Sequence, residues 1–521
     1  MALHSAVELK QMSGMPAEDT LTLSAAQQRL WFLSQMQGIR QAHHITWGLH
    51  IHGTLDRSVL KRALDRIIER HQVLRATFKQ IQGKPWQRAA PPDSGFELRE
   101  HNLRDGGHAE DNLERICQEE ASRLFDLEEG PLIRGRLICL APQEHVLFIS
   151  MHNLVSDEWS KGILASELNA LYQAYIAGED DPLPQLAMQY SDYALWQQQQ
   201  LSDAGTERER EYWQRALEGA PSWLELPTDR PRLTEQASAC DVVEFELNAS
   251  LTRELKVLGE RHAMTLEMLI MAGWSVVLSR LSGQRDLVIG LALPNRTRPG
   301  TAGMIGPFAN KLALRNDTTG TMAELLQKVR RRIIEALEHQ ELPFEHVVEI
   351  VNPPRSIARA PIFQVMLVWQ EQQKQAANSS ALRVRDEQTN NAVSEFDLEL
   401  VLGVNGNRIA GGLKYATALF NRSTIEWHVG YLRQALAAMV ADESQENDRV
   451  PLLSDIKRAF LLELGNGDLG VESIVTPEDV CLYGLVAAQA ERVPQAVAVI
   501  EPGREITYKQ LVQQANGLGS N

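Results

Sequence analysis

The 521 residues include only four cysteines, Cys117, Cys139, Cys240 and Cys481, far apart and without CxxC pairing or metal-ligand spacing. That scarcity excludes a disulfide framework and a zinc module, and it fits a reducing cytoplasm. No run of about twenty apolar residues occurs, so the sequence offers no membrane span. The opening stretch MALHSAVELKQMSG lacks the continuous apolar core of a secretory signal. Also missing are GxxxxGK[ST], HExxH and GxSxG, which excludes the chemistries those motifs carry. The nearest fragment to a phosphate loop, Asp317-Thr-Thr-Gly320, lacks the glycine–lysine part. Positive charge is short as well: 52 Lys and Arg against 68 Asp and Glu leave a net charge of −16. Nucleic acid and anionic membranes are therefore not expected as partners, because phosphate contacts need clustered cations. The one basic cluster, Lys328, Arg330, Arg331 and Arg332, lies on a helical pattern and reads as a solvated helix face.

What is present is an ordinary globular balance, 44% apolar and 23% charged, long enough for more than one domain. Residues 1–20 are polar and expected to form a loose tail. Val59, Leu60, Ala63, Leu64, Ile67 and Ile68 recur at helical spacing, predicting an amphipathic helix over 58–70. The stretch 145–175 is the most informative. Val146, Leu147, Phe148 and Ile149 read as a strand buried on both faces. A polar turn, His152-Asn-Leu-Val-Ser-Asp157, follows, and then Ile163, Leu164, Leu168, Leu171, Tyr172 and Tyr175 mark one helix face, with Trp159 expected in the core. Such a strand–turn–helix puts polar side chains at an element edge, where sites are commonly built. Asp157 stands just before that helix, where an aspartate caps free N–H groups. Further strand-like runs, 287–293 and 363–369, alternate with helical patterns, so the class is mixed α/β. From about Gly465 the pattern weakens, and a short unit begins near Thr476 that is too small for a core of its own.

The turn resembles the HHxxxDG signature of condensation domains in nonribosomal peptide synthetases, and other segments of that family stand in order around it. Ser24-Ala-Ala-Gln-Gln-Arg-Leu-Trp31 is similar to SxAQxRLW, and Arg70-His-Gln-Val-Leu-Arg-Ala-Thr-Phe78 to RHExLRTxF. Tyr190-Ser-Asp-Tyr-Ala-Leu-Trp196 resembles YxDYAxW, and Ile305-Gly-Pro-Phe-Ala-Asn-Lys311 resembles IGxFVNT. Gln340-Glu-Leu-Pro-Phe-Glu345 and Arg355-Ser-Ile-Ala-Arg-Ala-Pro361 complete the set. The resemblance implies two chloramphenicol acetyltransferase-like lobes in a V around a central tunnel, over residues 21–180 and 181–455. A linker over 456–475 and the start of an adenylation domain over 476–521 would follow. It implies further that the chain binds no cofactor itself. Thioesters on the phosphopantetheine arms of upstream and downstream carrier proteins would enter the tunnel from opposite mouths.

The match departs from the family at the position that matters most. Asn153 stands where the family has the histidine thought to deprotonate or orient the attacking amine, and Glu158 stands at the glycine. A carboxamide can align an amine through hydrogen bonds but cannot carry a proton away. His152 remains, though alternation points it away from its neighbour and favours a structural role. The resemblance implies a salt bridge from Asp157 to an arginine across the tunnel, for which Arg296 is the candidate. It places Ser156, Glu158, Asn310 and Lys311 along the tunnel, Lys311 replacing a threonine. His43-His44 reads as a strand pair near the tunnel, and His71 as a helix-end histidine. Two functions follow. The first is an impaired domain that serves as a scaffold, like the interface domains of siderophore synthetases that recruit a tailoring hydroxylase. The second is a domain that still forms amides, as a condensation or starter acyltransferase domain.

Overall fold

The computed structural model describes residues 21–35, 44–104, 109–202, 205–232, 239–370, 395–454, 457–459, 462, 482–501 and 504–518. The expected tail, His43, Cys481 and most of the expected linker lie outside the described residues. The chain divides into two compact units, Met1–Leu453 and Ser454–Asn521.

The larger unit begins with α1 (Ala25–Ser34), capped by a reciprocal box between Ser24 and Gln27. Then come β1 (His44–His52), α2 (Arg57–Arg70), a hairpin of β2 (Ala76–Ile81) and β3 (Lys84–Ala89), and β4 (Glu97–Asn102). Next are α3 (Ala109–Ser122), β5 (Ile133–Ala141), β6 (Glu144–His152), α4 (Glu158–Ile176) and α5 (Tyr190–Ser202). The helical spacing read from the sequence is the reason α2 buries Leu60, Ala63, Leu64, Ile67 and Ile68 on one face, starting from an Asp56 cap. Four strands form a sheet in the order β1-β6-β5-β4, so β6 is central and buried along nearly its whole length. Antiparallel register sets His44 opposite His152.

The second half continues with α6 (Gly205–Leu217), β7 (Cys240–Leu247), α7 (Ala249–His262), α8 (Leu266–Ser282), β8 (Asp286–Leu293) and β9 (Asn310–Asp317). It ends with α9 (Met322–Glu338), α10 (Phe344–Val351), β10 (Val365–Gln370), β11 (Leu398–Asn405), β12 (Arg408–Ala416) and α11 (Arg422–Ala441). Its six-stranded sheet runs β7-β12-β11-β10-β8-β9, with β10 parallel to both neighbours and the other pairs antiparallel. Helix α8 is apolar all round because it is enclosed, packing against α7, α9, α11 and β8. Among the described residues no single helix is long and apolar enough to cross a membrane.

Each half has its own core, but the cores do not divide at residue 180. Tyr190 and Tyr193 of α5, one helical turn apart, face the first core, as do Met304, Ile305 and Phe308 from the connection between β8 and β9. Trp213 and Leu217 of α6 belong to the second core. The first lobe is thus completed by a segment supplied from the second. Trp159, expected in the core, is only half-buried; it packs on the rim of the first core and donates from Nε1 to the Ala302 carbonyl at 3.2 Å. The cluster at Lys328 to Arg332 lies on α9, where Lys328 pairs with Asp317 and Arg331 and Arg332 pair with Glu335. Cys117, Cys139 and Cys240 are reduced and buried.

In the smaller unit, α12 (Leu482–Arg492) precedes a hairpin of β13 (Val497–Glu501) and β14 (Arg504–Thr507), then α13 (Tyr508–Leu518). Among its described residues Ile506 is the buried apolar side chain.

Candidate active site between the two lobes

The turn after β6 is held from several directions. Asp157 caps α4, its Oδ1 accepting from Ser160 N–H at 2.9 Å and from Ser160 Oγ at 2.6 Å. Arg296 donates from Nη2 to the same oxygen at 2.8 Å, and the other oxygen accepts from Phe308 N–H at 3.1 Å. Both side chains are nearly inaccessible, 3% and 7% exposed, so this is a desolvated, charge-assisted pair. Arg296 also donates to the carbonyls of Thr301, Met304 and Gly306. One guanidinium therefore locks the connection between the lobes onto the start of α4.

Other motif segments meet at the same place. Gln27, fully buried, donates to the Leu154 carbonyl inside the turn at 3.0 Å. Tyr190 donates to the Pro307 carbonyl at 2.8 Å, and its hydroxyl lies 2.8 Å from Ser24 Oγ. His71 accepts from Ile305 N–H at Nδ1 (3.4 Å) and bonds Glu167 through Nε2 at 2.8 Å. It is the buried cap of α2, tied to another helix. In the sequence Gln27, Tyr190 and His71 stand out only as members of motifs; their partners lie 127, 117 and 234 residues away.

A cavity of about 960 Å³ opens between the lobes, lined from the first by His44, Thr46, Asn153, Ser156, Asp157 and Glu158. From the second it is lined by one face of the six-stranded sheet and by Asn310, Lys311, Phe344 and Glu345. Asn153 is the half-exposed residue of an otherwise buried turn, and its Oδ1 is buried without a hydrogen-bond partner among the described residues. His152 is not on the cavity wall. It is buried, with its ring at the edges of His44 and Phe125, and its Nδ1 accepts from Leu154 N–H at 3.1 Å. That bond occupies the nitrogen a base would need and fixes the opposite tautomer.

The remaining expected residues divide by what they touch. Ser156 Oγ donates to the His152 carbonyl at 3.3 Å, within the turn. Glu158 is exposed at the cavity and pairs with Lys161 at 2.7 Å. Asn310 is consumed structurally, donating to the Gln340 and Leu342 carbonyls and accepting from Phe344 N–H. Lys311 pairs with Glu395 at 2.7 Å, and Glu395 also accepts from Arg29 of α1. Arg29 lies 3.4 Å from Glu345 as well, so four charges join the lobes across the cavity. Burial, then the nearby Arg29 cation, hold the Lys311 ammonium below its usual range despite Glu395. Among the described residues no group of His, Cys, Asp and Glu could hold a metal ion. The arrangement is a polar slot between the lobes, with the Asn153 carboxamide on its wall and four charged side chains joining its sides.

Residues 17–462 match the family described as Condensation domain. The chain is 42% identical over 500 residues to malpibaldin synthetase of Mortierella alpina, a match covering 96% of this chain and 9% of that protein. It is 34% identical over 511 residues to chondramide synthase of Chondromyces crocatus, covering 97% of this chain and 13% of that protein. The chain thus spans about a tenth of the length of these relatives. Among solved structures, the X-domain in complex with OxyB from teicoplanin biosynthesis superposes with a TM-score of 0.75 at 28% identity, covering 85% of this chain and 98% of that one. A four-domain nonribosomal peptide synthetase bound to AMP and glycine matches with a TM-score of 0.76 at 20% identity, over 96% of this chain and 38% of that one.

Proposed function

The chain belongs to the condensation-domain family, and from that premise we propose that it joins two carrier-tethered substrates within the interlobe cavity. The donor is an aminoacyl or peptidyl thioester on the phosphopantetheine arm of an upstream carrier, and the acceptor is an amine on a downstream carrier. The observation that carries this reading is Asn153, half-exposed at the wall of an open cavity that both lobes line. A carboxamide on the wall can turn either its oxygen or its N–H groups toward a guest. Asn153 would accept from the amine and aim its lone pair at the thioester carbonyl, a contribution of orientation rather than proton transfer. The motif itself supplies no base.

The test is amide formation by the purified chain. A panel of N-acetyl-aminoacyl thioesters of N-acetylcysteamine would serve as donors and free aminoacyl thioesters as acceptors, with products read by mass spectrometry. Dipeptidyl thioester above the uncatalysed background supports the reading, and its absence across the panel ends it.

A second reading is a scaffold that presents a carrier-bound amino acid to a tailoring hydroxylase. The missing base at Asn153 favours it, and so does the likeness to an X-domain whose solved complex contains OxyB. Stoichiometric calorimetric binding of a purified tailoring hydroxylase, together with silence in the amide assay, would favour this over the first.

A further inference from the structure

The first position of β1 holds a histidine that no motif singles out. His44 sits directly across the ladder from His152 and lines the same cavity as Asn153. Cross-strand partners stand about 4.5–5.5 Å apart at Cα and consecutive residues about 3.8 Å, so the Asn153 and His44 Cα atoms lie within roughly 9 Å. Both residues border the same cavity, so one guest can meet both.

The chemistry of the ring is set by what surrounds it. His44 Nδ1 lies 3.0 Å from the Ala121 carbonyl. A carbonyl only accepts, so Nδ1 carries the hydrogen, and in the neutral ring Nε2 keeps its lone pair. Nε2 has no hydrogen-bond partner among the described residues. The ring orientation is fixed by an edge contact with Phe125, centroids 4.9 Å apart at 86°, and Phe125 is in turn covered by the Arg134 guanidinium at 3.8 Å. Arg134 of β5 pairs with the buried Glu120 of α3, which also holds Arg136. The titratable and charged groups facing His44 are therefore Arg134, Glu120 and His152, with the Glu158–Lys161 pair of α4 on the cavity side. Burial, opposed by the bond to Ala121 and then reinforced by Arg134, holds the imidazole below its usual range, with Glu120 pulling weakly the other way. A neutral ring at pH 7 follows.

We propose that His44 is the proton acceptor of amide formation in this chain, taking through Nε2 the hydrogen that Asn153 cannot remove. The proposal rests on the amide-forming reading of the cavity. The amine nitrogen attacks the thioester carbonyl and forms the C–N bond while its proton passes to Nε2. The tetrahedral centre then expels the phosphopantetheine sulfur, the C–S bond breaks, and the imidazolium returns the proton to the departing thiolate. Amide and free thiol result, with His44 neutral again and no other reactant required.

The full chain and its His44→Gln variant would be compared in the thioester assay above across pH 5–8.5 (about the range in which histidine titrates), with melting curves confirming that both are folded. We expect a fall of about 10²–10⁴-fold in kcat for His44→Gln, with KM little changed. The acid limb of the wild-type profile should disappear, and added imidazole should partly restore rate to His44→Ala. A variant that keeps the wild-type rate and pH profile overturns the proposal while leaving amide formation standing. Wild type that makes no amide overturns the parent reading and this proposal together. Should the variants not fold, nitrogen-15 imidazole spectra of the wild type decide. A protonated Nδ1 and bare Nε2 at pH 7 support the assignment, and the opposite tautomer or a cationic ring overturns it.

Discussion

Asp157 shows how one side chain can serve a helix, a salt bridge and a loop at once. Its two oxygens satisfy the start of α4, the Arg296 guanidinium and the Phe308 N–H. Replacing it by Asn would leave a buried guanidinium without its counter-charge, a loss of about 3–5 kcal/mol. Chemical denaturation should register that loss as a lower midpoint with an unchanged slope. The residue identities here were legible in the sequence, because a cap before a helix and a family motif both single out Asp157. His44 was not, since no spacing rule distinguishes a strand histidine that donates at one nitrogen from one that merely packs. A second prediction concerns His428 of α11, whose pKa burial lowers to about 4 and whose Nδ1 is buried without a partner among the described residues. The folded state resists protonating it whereas the unfolded chain does not, so its contribution to stability falls as pH drops from about 6.5 to 4. The shift corresponds to about 3 kcal/mol, Asp229 offsetting it slightly. His428→Leu should shrink the loss of melting temperature between those pH values.

At the level of elements, the patterns that repeat locally were readable and the ones that join distant segments were not. Helix α2 follows from apolar periodicity and strand β6 from a continuous apolar run. The boundary between lobes does not, because α5 and residues 304–308 turn to the first core through contacts more than a hundred residues apart in sequence. Gly306 is the tightest point of that connection. A Cβ there would stand 2.2 Å from Tyr190 Cδ2, and the Tyr190 hydroxyl is bonded to both Pro307 and Ser24. Gly306→Ala must therefore push the connection off α5, an overpacking that costs about 1–3 kcal/mol. Hydrogen exchange should quicken in α1 and α5 of that variant while the six-stranded sheet stays protected.

Across the whole of the larger unit, the two lobes face one another through charge as well as through the shared connection. Glu395 stands between Arg29 of α1 and Lys311 of β9. Glu395→Ala would leave two cations facing each other across the cavity, with Glu345 the remaining counter-charge near Arg29. We expect faster amide exchange in α1 and α10 and, on the proposed amide-forming reading, a raised KM in the thioester assay. Salt should partly relieve the effect, because these side chains are about a quarter exposed.

The insertion of Met304, Ile305 and Phe308 into the first core has a consequence for how the chain is made. A chain emerging from the ribosome exposes β1, β6 and α4 long before those three side chains exist. Its first half must wait, with Tyr190 and Tyr193 uncovered, until more than a hundred further residues have been synthesised. Domains ordinarily fold as they emerge, N-terminal part first. Here the early half cannot finish ahead of the late one, so residues 21–202 expressed alone should aggregate, and nascent protein should depend on chaperones until Phe308 has cleared the exit tunnel.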